Sequence, residues 1–472
     1  MIRGDTAIST PVSAWRNWKF LIPSGIAIFF LYFFGLTRAG LLGPDEPRYA
    51  VIGRAMAETG DWITPRLWGQ PWFEKPAFLY WMTAAGFKAG LGADWAPRLP
   101  VALVSVAFLL YFFAVLRREF GDRAGWYSAV ILATSVGWLA YSHVALTDLP
   151  LSAAFAAAML TILPDPLVRR SFTTSLLAGG LLGIAMLAKG LVPLVLFLPA
   201  LWFLRRRVRD LLLLLGSSLV IAGPWYALVT IRNGAPFLEE FFWKHHFGRF
   251  LTSALQHQQP IWFYVPVLLA GLFPWTPLLA LLFTARCFKD RRNQFLLAWF
   301  AWGFLFFSVS RNKLPGYLLP LLPPVAALLG IAAADAQAQS SKIMILIGAS
   351  AVLLSLIPPL ETALPQVLVA GLSHTQLPLT TLWIIPGIIL GVVCGYLEKI
   401  GRRNLAIAGV AALTAISVVT VLWRVYPELD RQVSARAIWR GSGPSVPCLP
   451  PMTRSRRYGI EYYAARNLPN CN

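Results

Sequence analysis

The chain has 472 residues, 57% of them hydrophobic and only 13% charged. A water-soluble protein carries about 25% charged residues, so the composition excludes a soluble globular domain. The formal charge of +20 does not point to nucleic acid, because much of it sits in short basic runs such as "RRRVRD" and "KDRRNQ" between apolar segments. Such runs mark the cytoplasmic side of a membrane protein, with anionic lipid as their counter-charge.

Apolar stretches of about 17 to 22 residues can each cross a bilayer as a helix. From an N-terminus placed in the cytoplasm by Arg3, Arg16 and Lys19, spans are predicted near 20–37, 99–116, 124–143, 149–166, 172–188 and 190–204. More follow near 210–230, 262–284, 295–310, 315–335, 343–360, 378–397 and 404–424, which makes thirteen. The first is too long for a signal-peptide core and no small-residue cleavage site follows it, so it reads as a retained span. The expected fold class is an all-α polytopic membrane protein with a membrane domain over 1–424 and a short outer C-terminal region over 425–472. No internal repeat is visible.

This topology sorts the polar residues. The basic loops 117–123, 169–170, 205–209, 286–292 and 399–403 share the cytoplasmic side, while the segments carrying Asp45, Asp148, Lys189, His246 and Lys313 share the other. The first outer loop, 38–98, is the longest, and "RYAVIGRAMAETG" has apolar residues at helical spacing. Short helices lying in the interface plane are expected there. Cys287 and Cys394 read as packing residues near spans, whereas a disulfide between Cys448 and Cys471 fits a tail that lies outside.

"GLLGPDEPRYA" presents Asp45, Glu46, Arg48 and Tyr49 within about a turn of backbone. Acids after a span are common in solvated loops, but this combination also suits a carboxylate that orients or deprotonates an attacking group. In "WFEKPAFLYW", Glu74 and Lys75 fit either interface anchoring or a phosphate contact by the lysine. Asp148, in "LTDLP", reads as a helix N-terminus capped with Thr147 or as a second acid. In "FFWKHHFGRF", His245 and His246 fit interface polarity or, with a carboxylate from elsewhere, a metal, and Arg249 shares a helical face with His246. "KLPGYLLPLLPP" supplies Lys313 and Tyr317, and Lys189 reads as a snorkelling side chain. Cations at this depth suit a lipid phosphate, and carboxylates beside them suit sugar chemistry.

Taken in order, "GPDEPRYA", "FEKPAFLYW", "LTDLP", "HHFGRF" and "KLPGYLLPLLPP" resemble the motifs of the polyprenyl-phosphate-sugar-dependent membrane glycosyltransferases, over residues 40 to 325. The aminoarabinose (lipid A) transferases and the protein O-mannosyltransferases are the nearest in pattern. The resemblance implies a C-type glycosyltransferase fold of about thirteen helices with a cavity opening to the periplasm. It makes Asp45 the catalytic acid of the first outer loop, with Arg48 and Tyr49 continuing the motif and Asp148 matching the acid of the second. It further places Lys75, Arg249 and Tyr317 at the donor phosphate, and Glu74 and His246 at a divalent metal (zinc, magnesium or manganese). Glu46 and Lys313 complete the substrate-binding set. No nucleotide is expected, because the donor arrives lipid-linked.

The expected function is transfer of a sugar from an undecaprenyl phosphate-linked donor to an envelope acceptor, lipid A or a related glycolipid, with inversion. The setting is the periplasmic face of a bacterial inner membrane, and the chain is expected to be a monomer. Transfer to Ser or Thr of exported proteins is the alternative within the class. A flippase of lipid-linked sugars is the rival from another class. It calls for polar groups at mid-membrane and two related halves, neither of which the sequence displays. The family's aminoarabinose members carry a larger outer domain than the tail seen here, which bears on the acceptor more than on the donor.

Overall fold

The computed structural model describes residues 18–163, 171–248, 259–283, 289–337, 339–370, 384–442 and 447–471. Almost all of the regular structure is helical, and among the described residues the only paired strands are the two-residue hairpin Arg66–Leu67 and Gln70–Pro71. Among the described residues, six helices are long and apolar enough to cross a membrane: Gly92–Phe120, Phe172–Lys189, Val208–Asn233, Pro315–Asp335, Ser341–Val367 and Arg403–Gln432. The pair Ile261–Gly271 and Thr276–Phe283, bent by 111°, makes a seventh if counted as one span. The span Pro315–Asp335 is the central one, since 89% of its apolar window is buried, and it packs against Asp122–Thr134 and Arg291–Val309.

The expected count of thirteen therefore does not emerge from length and apolarity, and local chemistry explains several of the differences. The predicted 190–204 span is two short helices, Val192–Leu196 and Leu198–Leu204, each with a proline in its first turn, where the missing N–H is tolerated. The predicted 124–143 span breaks at Ser135, whose backbone is extended, into Asp122–Thr134 and Val136–Ser142. The predicted 149–166 span is the 14-residue helix Asp148–Thr161, about 21 Å long at 1.5 Å per residue and short of a 30 Å hydrocarbon core. The predicted 378–397 span begins among residues outside the described ones, as does Cys287.

The first outer loop is built into the protein. Its helix Asp45–Thr59 buries Glu46 through Gly53 without interruption, so its first two turns are enclosed on all sides. Asp45 and Glu46 occupy its first turn, where the exposed N–H groups favour negative charge. At its other end Gly60 takes a left-handed conformation and donates to the Met56 carbonyl, a glycine C-cap. Beyond it, Asp61 pairs with Arg232 at 2.8 Å, the Trp225 indole donates to the Ile63 carbonyl, and the Asn233 amide donates to Thr64. Burial pushes the Asp61 carboxyl up, but backbone N–H groups of Thr64 and Ile63 and the nearby arginines outweigh it and hold the group low.

The C-terminal region packs onto this loop through the helices Tyr426–Gln432, Ala435–Ser442 and Arg454–Ala464. Cys448 and Cys471 form a disulfide with Cα atoms 4.9 Å apart, beside backbone bonds between Leu449 and residues 469 and 471. The region has a small core of Ala435, Leu449, Ile460 and Leu468 and is held by polar contacts. Arg436 pairs with Asp94 at 2.8 Å and with Asp430 at 2.9 Å, and donates to the carbonyls of Thr37 and Arg38. The Tyr463 hydroxyl donates to Asp94 and accepts from the Leu41 N–H, while Gly40 N–H donates to Asp430. Gly40 is glycine for lack of space: a Cβ there would stand 2.2 Å from Ser434 Oγ and 2.7 Å from Arg436 Cβ.

Candidate active site

Four charges alternate in a row where the helix Asp45–Thr59 meets the segment before Phe78–Lys88. Arg48 Nη2 lies 2.5 Å from Asp45 Oδ1 and 3.0 Å from Glu74 Oε2, and Lys75 Nζ lies 2.9 Å from Glu74 Oε1. Arg48, Glu74 and Lys75 are buried, but the Asp45 side chain is 44% exposed. The row therefore offers one carboxylate to whatever occupies the space outside and keeps two cations behind it. Around the Arg48 guanidinium stand the rings of Trp72, Tyr49 and Tyr458, with centroids at 5.0, 5.4 and 5.7 Å. Burial alone would pull the Arg48 pKa down, but Glu74, Tyr49 and Asp45 outweigh it and fix the positive charge. Burial pushes the Tyr49 phenol up, so it stays protonated.

Glu46 faces away from this row. Arg98 grips it with Nε on Oε1 at 2.7 Å and Nη2 on Oε2 at 2.8 Å, and the N–H groups of Leu42 and Ala145 donate to the two oxygens. Arg98 spends its remaining N–H groups on the carbonyls of Leu36, Ala39 and Gly40. Both side chains are only 1–2% exposed, so the expected substrate contact by Glu46 gives way to an anchor. It fixes the helix carrying Asp45 and, through Ala145, the approach to Asp148. Two acids that sequence left unrelated are tied to opposite sides of one carboxylate.

Asp148 begins the helix Asp148–Thr161, but Thr147 makes no side-chain cap there. Asp148 Oδ1 instead lies 2.5 Å from Lys189 Nζ, which also stands 4.6 Å from the centre of the Tyr317 ring. Lys189, expected to snorkel, is thus committed to the acid. Gly316 sits tight against both: a Cβ would come 2.7 Å from Asp148 Oδ1 and from the Tyr141 hydroxyl. Gly316→Ala should accordingly displace Asp148 or Tyr141. Misplacement by about 1 Å costs on the order of 100-fold in rate, so a turnover loss of at least tenfold with a normal melting temperature is expected. Kinetics equal to the parent would show that this contact is slack. Nearby, Lys313 Nζ donates to the carbonyls of Ser310 (2.5 Å) and Gln259 (3.0 Å), and burial lowers its pKa.

Arg249 and the side chains of His245 and His246 lie outside the described residues. For the expected metal, both Glu74 oxygens face cations, Lys75 and Arg48, and among the described residues no group of three His, Cys, Asp or Glu side chains could hold an ion. Glu74 thus sits in a charge network, and the side chain of its expected metal partner, His246, lies outside the described residues. Arg98, Asp94 and Arg436 escaped the sequence reading, and Lys189 was read without its partner. The signal for Arg98 was present: a charge just inside a span in "DWAPRLP" demands a buried partner.

Comparison with known proteins points the same way as the motifs. A family model described as dolichyl-phosphate-mannose-protein mannosyltransferase matches residues 74–226. The undecaprenyl phosphate-α-4-amino-4-deoxy-L-arabinose arabinosyl transferase 2 of Pseudomonas fluorescens is 35% identical over 353 residues, 70% of this chain and 59% of the relative. That of Proteus mirabilis is 31% identical over 367 residues, 72% of this chain and 66% of the relative. The crystal structure of ArnT from Cupriavidus metallidurans bound to undecaprenyl phosphate superposes with a TM-score of 0.73 at 25% identity, covering 95% of this chain and 85% of that one. Arabinosyltransferase EmbB from Mycobacterium smegmatis shares the fold alone, with a TM-score of 0.53 at 13% identity, over 98% of this chain and 44% of that one. The resemblance read from the motifs holds: the chain is similar to the aminoarabinose transferases in sequence and to ArnT in fold. It spans about three-fifths of the length of the first of these relatives (59%).

Proposed function

We propose that this chain transfers a sugar from an undecaprenyl phosphate-linked donor to lipid A or a related envelope glycolipid, with inversion. The observation that carries the reading is the row Asp45–Arg48–Glu74–Lys75, a partly exposed carboxylate backed by buried cations, in a chain similar to the aminoarabinose transferases. The bond from the anomeric carbon to the phosphate oxygen breaks, and the electron pair stays on the departing phosphate. Lys75 is assigned to that phosphate, and Tyr317 and Arg249 are kept as its further contacts. Preorganised cations stabilise such developing charge at no reorganisation cost. The acceptor oxygen forms the new bond from the opposite face, and Asp45 takes the proton if the acceptor is a hydroxyl. If the acceptor is a phosphate, Asp45 orients the sugar instead. Asp148, held by Lys189, is the second candidate base.

The finer topology belongs to the same proposal: thirteen crossings, a cytoplasmic N-terminus, and the site and C-terminus in the periplasm of the inner membrane. Two observations support it. The Val208–Asn233 helix starts beside Arg205–Arg207 and ends at the first loop, as basic cytoplasmic loops require, and a disulfide persists in an oxidising compartment. In intact spheroplasts, a membrane-impermeant thiol reagent should label Cys448 and Cys471 only after reduction. Labelling that also requires lysis would reverse the topology.

The activity test uses purified protein, a synthetic undecaprenyl phosphate sugar, and lipid A or a Ser/Thr peptide as acceptor. A glycosylated lipid A and an unmodified peptide are expected. A glycosylated peptide would favour the mannosyltransferase-like reading, which the family match over 74–226 keeps in view. Donor movement across a vesicle without any product would favour a flippase.

A further inference from the structure

The end of the molecule remote from Asp45 carries a cavity of about 380 Å3 lined by Trp202, Phe203, Arg205, Arg206, Arg291 and Gln294. Two helices fix its position. Val208–Asn233 starts beside Arg206 and ends where Asn233 meets Thr64 of the first loop, about 39 Å away at 1.5 Å per residue. Arg291–Val309 starts at the cavity and ends just before Ser310, whose carbonyl receives Lys313.

Arg205 lies 3.9 Å over the Trp202 ring and donates to the Trp202 carbonyl, and Arg291 lies 5.9 Å over the Phe203 ring. None of Arg205, Arg206 and Arg291 is ion-paired among the described residues. Neighbouring arginines are treated differently. In a second concavity, lined by Arg117, Arg118 and Asp122, Arg117 pairs with Asp122 and Arg118 with Glu119 at 2.9 Å, and Arg292, next to Arg291 in the chain, pairs with Asp290 at 2.7 Å. Three like charges around one cavity repel one another, and an anion between them reverses the sign of that energy. A guanidinium stacked on a ring keeps its N–H edge free for the paired oxygens of a phosphate.

The rim indicates where the anion comes from. Trp202 is 64% exposed, and beside it Leu198, Val208 and Leu212 are also exposed. Apolar side chains on the outside of a spanning helix face acyl chains, and an exposed tryptophan at a helix end sits at headgroup depth. We propose that this cavity binds the phosphate of an anionic phospholipid headgroup in the leaflet remote from the sugar site, with the lipid's chains lying along Leu198, Val208 and Leu212.

The test is native mass spectrometry of the full chain released from nanodiscs of equal phosphatidylglycerol and phosphatidylcholine. The parent protein should retain phosphatidylglycerol selectively, and the double variant R206A/R291A should lose that retention by about tenfold or more, with an unchanged melting temperature in detergent. R118A, in the internally paired concavity, should retain it as the parent does. Equal retention by R206A/R291A would overturn the proposal. So would an equal loss in R118A, which would reduce the effect to general surface attraction. Displacement of the lipid by millimolar inorganic phosphate would assign the cavity to a free anion and overturn the lipid assignment.

Discussion

Arg98→Ala should leave little folded protein. The substitution strands the Glu46 carboxylate at 1% exposure and withdraws donors from the carbonyls of Leu36, Ala39 and Gly40 together. Removing one partner of a buried pair costs about 3–5 kcal/mol, a large share of the roughly 5–15 kcal/mol by which a protein is stable. Size-exclusion chromatography in detergent and thermal unfolding are the readouts, with aggregation or a collapse of the melting temperature expected. Arg98→Lys should recover only part, because an ammonium cannot reproduce the two-point grip on Glu46 or reach the carbonyls at once. Glu46→Gln should move the same way, by less. A normal melting temperature for Arg98→Ala would mean that the anchor is dispensable.

Asp45→Asn is the opposite kind of change. Its side chain is 44% exposed and its recorded side-chain contact is with Arg48, which retains Glu74, so the fold should survive with at most a modest loss of stability. Turnover should not survive. A positioned base contributes about 100- to 10,000-fold, and the amide neither takes a proton nor balances the developing positive charge on the sugar. A loss of at least 100-fold in kcat, with donor still bound, is expected from single-turnover measurements with lipid-linked donor. If Asp45→Asn turns over normally and Asp148→Asn does not, the base is Asp148. If both turn over normally, the acceptor is itself anionic.

The contrast between these neighbouring acids marks how far the sequence can be read. "GPDEPRYA" announced a built segment, and the row through Arg48, Glu74 and Lys75 joins residues that the motifs had already singled out. Which acid faces outward was not legible, because it depends on Arg98, 52 positions beyond Glu46. Lys189 was read as snorkelling because an isolated lysine at a helix end usually does so; its partner, Asp148, lies 41 positions earlier. The clamp of Arg436 on Asp94 spans 342 positions and has no local signature. Helix continuity was not legible where Pro193, Pro199 and Ser135 interrupt apolar runs, since hydropathy registers composition alone.

The central claim is that the outer charge row breaks a bond between a sugar and a lipid phosphate. The most direct measurement is release of free undecaprenyl phosphate from synthetic donor by purified protein with lipid A present, comparing the parent, Asp45→Asn and Lys75→Ala. The parent should release it in step with glycosylated lipid A. Asp45→Asn should fall by at least about 100-fold, and Lys75→Ala by about 10- to 100-fold, as the loss of a charge-assisted contact worth roughly 1.5–3 kcal/mol implies. Release at parental rates by both variants, or none by the parent with every acceptor offered, would contradict the account.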